Sequence, residues 1–209
     1  MKRPSLIGLL LVIIGLIFIS INPLAAAYSS GLYGSGAYGS CVYGGTCSIT
    51  IGSSGAISLN VTPTTSGQCT IESDVVSVLT DDANGYTLTL NDSNTNASLK
   101  NGSASISTTS GTLASPVALT ADTWGYRVDS LGSFGSGPTT SQSNTSISSI
   151  SSITFAAVQP SGGSPDTIAD TSTAADPAQD TSAWYGVCAD TSVSSGSYST
   201  QVTYTAIAN

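Results

Sequence analysis

From Ser48 onward, apolar and polar residues alternate with a period of two in segment after segment. Ile49 and Ile51 set the pattern, and Ile57, Leu59 and Val61 repeat it. So do Tyr86, Leu88 and Leu90, then Trp124, Tyr126 and Val128, and finally Tyr198, Val202, Tyr204 and Ala206. Successive side chains of an extended strand point to opposite faces, so each run describes a strand with one wet and one buried face. No stretch after Ala27 carries the 3.6-residue period of an amphipathic helix. Turn sequences separate the runs: Ser53-Ser54-Gly55, Asp82-Ala83-Asn84-Gly85, Asn101-Gly102 and Ser194-Ser195-Gly196. Asn-Gly pairs suit the positive φ of tight hairpin turns. Val75 to Leu79, Ile153 to Val158 and Trp184 to Cys188 are apolar on both faces, which predicts central strands. The polar stretches Ser130–Ser149 and Gly162–Thr181 read as surface loops. The prediction is an all-β protein, an antiparallel β-sandwich of about eight to ten strands behind an N-terminal signal helix.

That signal occupies residues 1–27. Lys2 and Arg3 precede an uncharged apolar run from Leu6 to Ile21, and Ala25, Ala26 and Ala27 offer the small side chains a signal peptidase requires. Cleavage after Ala27 is the expectation, with Tyr28 as the new N-terminus; an uncut leader would instead be the chain's one contact with a membrane. Residues 28–47 form a Tyr/Gly/Ser-rich arm in which Tyr28, Tyr33, Tyr38 and Tyr43 recur every five residues. Period five matches neither strand nor helix, so the arm reads as a linker or as a docking segment whose tyrosines supply contacts. Residues 48–209 make up the sandwich domain.

Composition limits the partners. Beyond the leader, twelve acidic residues face only Lys100 and Arg127, a balance of −10. Such a chain is repelled by nucleic-acid phosphates. The four cysteines, Cys41, Cys47, Cys69 and Cys188, follow an export signal in even number, which predicts two disulfides. The favoured pairing is Cys41–Cys47, closing a short loop with two glycines, and Cys69–Cys188, tying an early strand to a late one. Zinc is disfavoured because the chain has no histidine and no C-x-x-C pair.

Catalysis has little to build on. Lys100 is the one lysine beyond the leader and sits in a polar stretch that reads as a hairpin tip, so neither a nucleophile's base nor a buried isopeptide lysine is expected there. Asp81 and Asp82 are adjacent and would point apart on a strand, so they do not form a glycosidase pair. Asp81, Asp82 and Asn84 are weak calcium candidates, as are Asp166, Asp170, Asp176 and Asp180, although no spacing matches a known calcium loop. No metal or cofactor is expected. The aromatics Tyr86, Trp124, Tyr126, Tyr185 and Tyr204 are candidates for a wall- or ligand-binding surface, with core packing as the competing role. Five sequons, at Asn60, Asn91, Asn96, Asn101 and Asn144, fall within the frequency that so Ser/Thr-rich a chain produces by chance.

Two segments carry a family resemblance. Val76 to Leu90, VSVLTDDANGYTLTL, is similar to the first signature of the WxL bacterial cell-surface domains, with Gly85, Tyr86, Thr87 and Leu88 in its Gly-aromatic-x-Leu strand. Gly196 to Ala206 resembles the second signature, and tyrosines Tyr86 and Tyr204 stand where that family carries tryptophan. The resemblance implies non-covalent attachment to peptidoglycan. The chain is also similar to small exported Ser/Thr-rich β-proteins of bacteria. The expected role is thus a secreted or cell-surface, non-catalytic protein, structural or adhesive, whose partners are a cell-wall polymer or other surface proteins. The alternatives are a pilin-like filament subunit docking through residues 28–47 and, less in keeping with the missing histidine, a secreted enzyme.

Overall fold

The computed structural model describes residues 47–209 and, as backbone, the segment Ile17–Ala27. It is an all-β sandwich, as the alternation predicts. The strands in chain order are β1 (Ile17–Ala27), β2 (Ile49–Ser53), β3 (Ile57–Val61), β4 (Gln68–Thr80), β5 (Tyr86–Asp92), β6 (Leu99–Asn101), β7 (Ala104–Thr108), β8 (Val117–Ala118), β9 (Thr123–Val128), β10 (Gln142–Ser146), β11 (Thr154–Phe155), β12 (Asp166–Asp170), β13 (Ala175–Ala189) and β14 (Ser197–Ala208).

The first sheet runs β12-β5-β14-β1-β3. In the second, β9 pairs β13, β13 pairs β4, and the far edge of β4 is shared by β10 and β2. The β6–β7 hairpin links the two, with β6 beside β14 and β7 parallel to β9. Its turn places Gly102 at φ +58°, a conformation glycine adopts without a Cβ penalty.

The alternating runs meet in the middle. Tyr86, Leu88 and Leu90 of β5 and Tyr198, Val202, Tyr204 and Ala206 of β14 face Val76 and Val78 of β4, Tyr185 and Val187 of β13 and Trp124 and Tyr126 of β9, all buried in one core. The terminal strand β14 lies beside β5 in the same sheet, with Tyr204 opposite Leu90 and Ala206 opposite Leu88.

A second apolar cluster covers the outer side of the second sheet: Cys69, Ile71, Leu119, Ile150, Phe155, Trp184 and Cys188. Trp184 and Tyr185 thus point to opposite faces and are both buried. Phe155 lies against Gly186, where an added Cβ would stand 2.7 Å from its ring. At Gly125, directly opposite Gly186 in the ladder, an added Cβ would stand 2.6 Å from the Ala156 carbonyl oxygen and 3.2 Å from Phe155 Cβ. The outer face is left without side chains there, and Phe155 fills the space.

Four expectations change. The signal helix is not what forms over Ile17–Ala27, which is extended; Met1 to Leu16 lie outside the described residues. Ser130–Ser149 is not all loop, because β10 pairs with the edge of β4 and a 3₁₀ turn follows at Ile147–Ile150. Gly162–Thr181 likewise holds β12 and the first part of β13, polar segments recruited by the open edges of β5 and β4. Conversely, Ile153–Val158 is no central strand. It contributes the two residues of β11 and a bridge from Ala156 to Tyr126, and its apolar residues serve as a lid on the outer cluster.

Candidate functional site

The five aromatics that are candidates for a binding surface belong to the core. Trp124, Tyr126, Tyr185 and Tyr204 are fully buried and Tyr86 is 1% exposed. A ring with no exposed face cannot stack on a ligand, so these residues are corrected from contact residues to packing residues. Their polar tips find partners inside: the Trp124 Nε1–H donates to the Ala97 carbonyl at 3.0 Å, and the Tyr126 hydroxyl donates to Asp166 Oδ2 at 2.8 Å. These aromatics fill the sandwich interior together with the aliphatic residues of the same core.

The Tyr185 and Tyr204 hydroxyls meet at 2.6 Å and join the two sheets. Beside them Asp74 of β4 is fully buried, its Oδ1 accepting from the Ser54 backbone N–H at 3.0 Å and from the Ser54 hydroxyl at 2.6 Å. Burial raises the Asp74 carboxyl above its ordinary 3.8, opposed by the hydrogen bonds from Ser54 and Tyr204. Burial also raises both tyrosine hydroxyls.

A raised carboxyl has a definite effect on stability. Between 3.8 and the folded value, the native state keeps a proton the unfolded chain has lost. Stability is therefore full below that window and falls as pH rises through it. We expect Asp74→Asn, which keeps the Oδ1 acceptor for Ser54, to flatten this fall and to leave the protein at least as stable as the parent at neutral pH. Urea denaturation at a series of pH values checks this; parallel profiles for parent and variant would exclude Asp74 as the titrating group.

The remaining candidates do not converge. Asp81 Oδ1 accepts from the Ser48 N–H at 2.7 Å, and Asp82 Oδ1 accepts from the Asn84 N–H at 2.9 Å, so both organise the chain around the turn before β5. Asp170 and Asp180 bond Thr87 and Ser77 separately, on different sheets. Among the described residues no group of three or more metal-ligating side chains forms. Lys100 is exposed on β6, beside an open polar hollow lined by Asn94, Asn96, Ser98, Ser199 and Gln201. Arg127, by contrast, is 1% exposed. It donates to Asp129 at 3.2 Å and to the carbonyls of Thr154, Phe134 and Gly135, which pins the 129–136 loop.

Cys69 and Cys188 are bonded as expected, on directly paired residues of β4 and β13. Cys47 is also disulfide-bonded. Its expected partner, Cys41, lies outside the described residues, as do Tyr28, Tyr33, Tyr38 and Tyr43 of the arm.

The feature that the sequence reading missed is a strand slot in the first sheet. The strands β3 and β14 do not pair with each other; β1 lies between them. It runs parallel to β14 over ten residue pairs, from Phe18↔Ser197 to Ala27↔Ala206. It runs antiparallel to β3 over five, with Ile17, Ile19 and Ile21 opposite Val61, Leu59 and Ile57. Those three partners and the β14 residues Tyr198, Val202 and Tyr204 are all buried. A short signal for it was present in the sequence: Ile19-Ser20-Ile21-Asn22 alternates with period two at the end of a run that otherwise reads as a continuous apolar segment.

Compared with known protein families, with curated proteins and with solved structures, the chain has no match.

Proposed function

We propose that this chain is an exported, non-catalytic protein of the cell surface with a structural or adhesive role. The observation that carries this reading is the Cys69–Cys188 bond, buried between two neighbouring strands of the second sheet. Such bonds form and persist in oxidising compartments outside the cytosol. The basic-apolar-small order of the leader and the acidic balance of the rest are in keeping with it.

Wall association follows from the WxL resemblance. The two segments that carry it form β5 and β14, adjacent strands with Tyr86 opposite Ala208 and Tyr204 opposite Leu90, which supports reading them as one unit. Their tyrosines are buried, so contact with a wall polymer falls to the outer face of the same strands. There Thr87, Thr89, Asn91, Thr203 and Thr205 stand half-exposed, with Thr89 opposite Thr205 and Asn91 opposite Thr203. This row of hydroxyl and amide groups, with the exposed Ile207 opposite Thr87, offers donors, acceptors and one apolar contact to a sugar polymer.

Fractionation of the source cells tests this proposal. The protein is expected in the surface fraction, released from the wall by a chaotrope without wall digestion, and unreactive toward thiol reagents until reduced. Recovery from the cytosol with free thiols would overturn it. A second reading, a filament subunit, is favoured by one observation: the first sheet is completed by a strand joined to the rest of the domain through a long connection.

A further inference from the structure

We propose that the slot between β3 and β14 is an assembly site, filled in the assembled protein by the strand Ile17–Ala27 of a second copy. The inference rests on the surface-structural reading, supplies its means of association, and requires Ile17–Ala27 to stay on the exported chain in place of the expected cleavage after Ala27.

The slot imposes strict requirements. An edge of β14 without a neighbour exposes a ten-residue row of backbone donors and acceptors, a ready template for an added strand. The strand must be extended, some ten residues long, and apolar opposite Ile57, Leu59 and Val61. The segment Ile17–Ala27 meets each demand. It also contains no charged residue. Copies of the full chain each carry a net charge of −8 and repel one another, so an uncharged donor is suited to bringing them together.

The connection permits exchange. The strand β1 packs against β2 in the facing sheet, yet residues 28–48 separate them in sequence. Neighbouring elements are commonly joined by about 4–6 residues. These 21 residues, rich in Gly and Ser, still span about 50 Å when the expected Cys41–Cys47 bond closes part of them into a loop, enough to carry the strand into an adjacent molecule. Exchange preserves every backbone pair of the closed form, so its cost is the loss of intramolecular proximity, equivalent to about millimolar concentration for a short tether. Donor and acceptor are different parts of the surface. Exchanged reciprocally, the strand closes a pair; passed on from each copy to the next, it propagates as a head-to-tail chain of subunits. The slot thus takes Ile17–Ala27, not the 28–47 arm, and the arm is the tether.

The register makes a direct test. Ser20 lies opposite Ser199 across β1 and β14. The full chain carrying Ser20→Cys and Ser199→Cys is purified at a series of concentrations and oxidised. The expected result is covalent dimers or a ladder of larger oligomers on non-reducing gels, with their share growing with concentration, and none when Ser133→Cys replaces Ser199→Cys. Cross-linked monomer alone at every concentration would overturn exchange. No cross-link, or the same ladder from the control, would overturn the slot itself. Should the variant fail to fold, a chain beginning at Tyr28 is mixed with a peptide of residues 17–27. The peptide is expected to raise its melting temperature by several degrees, and a peptide with Ile19→Asp and Ile21→Asp is expected to leave it unchanged; equal effects overturn the proposal. N-terminal sequencing of the surface-extracted protein distinguishes the two readings. A chain located at the surface but beginning at Tyr28 lacks the donor, which overturns strand exchange while the surface reading stands.

Discussion

A chain ending at Thr200 is expected to lose its cooperative unfolding transition altogether. The deleted residues Gln201–Asn209 include Val202, Tyr204 and Ala206, each fully buried. Fully burying one large apolar side chain is worth about 1.5–3 kcal/mol, so the side chains alone represent a large share of a typical stability of about 5–15 kcal/mol. The backbone loss is greater still. Strand β14 pairs with β5 from Val202 to Ala208 and with β1 from Ser197 to Ala206, so the deletion opens both neighbours at once. It also strips the Tyr185 hydroxyl of its partner and exposes the buried Asp74. Strands at chain termini are often peripheral, but this one is central to its sheet. Thermal melting followed by near-ultraviolet circular dichroism is the measurement. A truncated protein that melts at the parent temperature would show that the first sheet does not depend on its terminal strand.

Replacing Cys69 and Cys188 together by Ser is expected to lower the melting temperature by roughly 10–20 °C. The bond closes a loop with a sequence separation of 119. In the chain-entropy model such a loop is worth about 5 kcal/mol, and each kcal/mol moves the midpoint by about 2–4 °C in a domain of this size. The site adds to the loss, because both residues are fully buried in the outer cluster with Ile71, Phe155 and Trp184. Serine would place two hydroxyls in that apolar setting. Changing Cys41 and Cys47 to Ser should shift the midpoint by no more than a couple of degrees, since Cys47 is half-exposed and outside both clusters. Calorimetry of the two double variants decides it. Equal shifts would mean that the bond at Cys47 also holds the sandwich.

Period two and the turn residues were enough to determine the strands of the core. Tyr86, Leu88 and Leu90, or Trp124 and Tyr126, declare which face is buried before any partner is known, because the pleat alone assigns alternate residues to alternate sides. The Cys69–Cys188 pair was legible in part: one short and one long spacing favoured that pairing among the three that four cysteines allow. The same local pattern says nothing about which edge a strand meets. Gln142–Ser146 and Asp166–Asp170 are polar and look like loop, yet they are strands because β4 and β5 offer open edges beside them. Ile153–Val158 is apolar on both faces and looks central, yet it folds over the outside, where Gly125 and Gly186 leave room for Phe155. The aromatics that resembled a binding face were drawn inward because two sheets share one interior that had to be filled. Residues 17–27 carry only a four-residue alternation, Ile19 to Asn22, at the end of a longer apolar run, and only the gap between β3 and β14 gave them a strand to be. Side-chain period is a property of a few neighbouring residues and is written locally. Edge pairing and the occupancy of a slot depend on groups far apart in the chain, and tertiary structure alone brings these together.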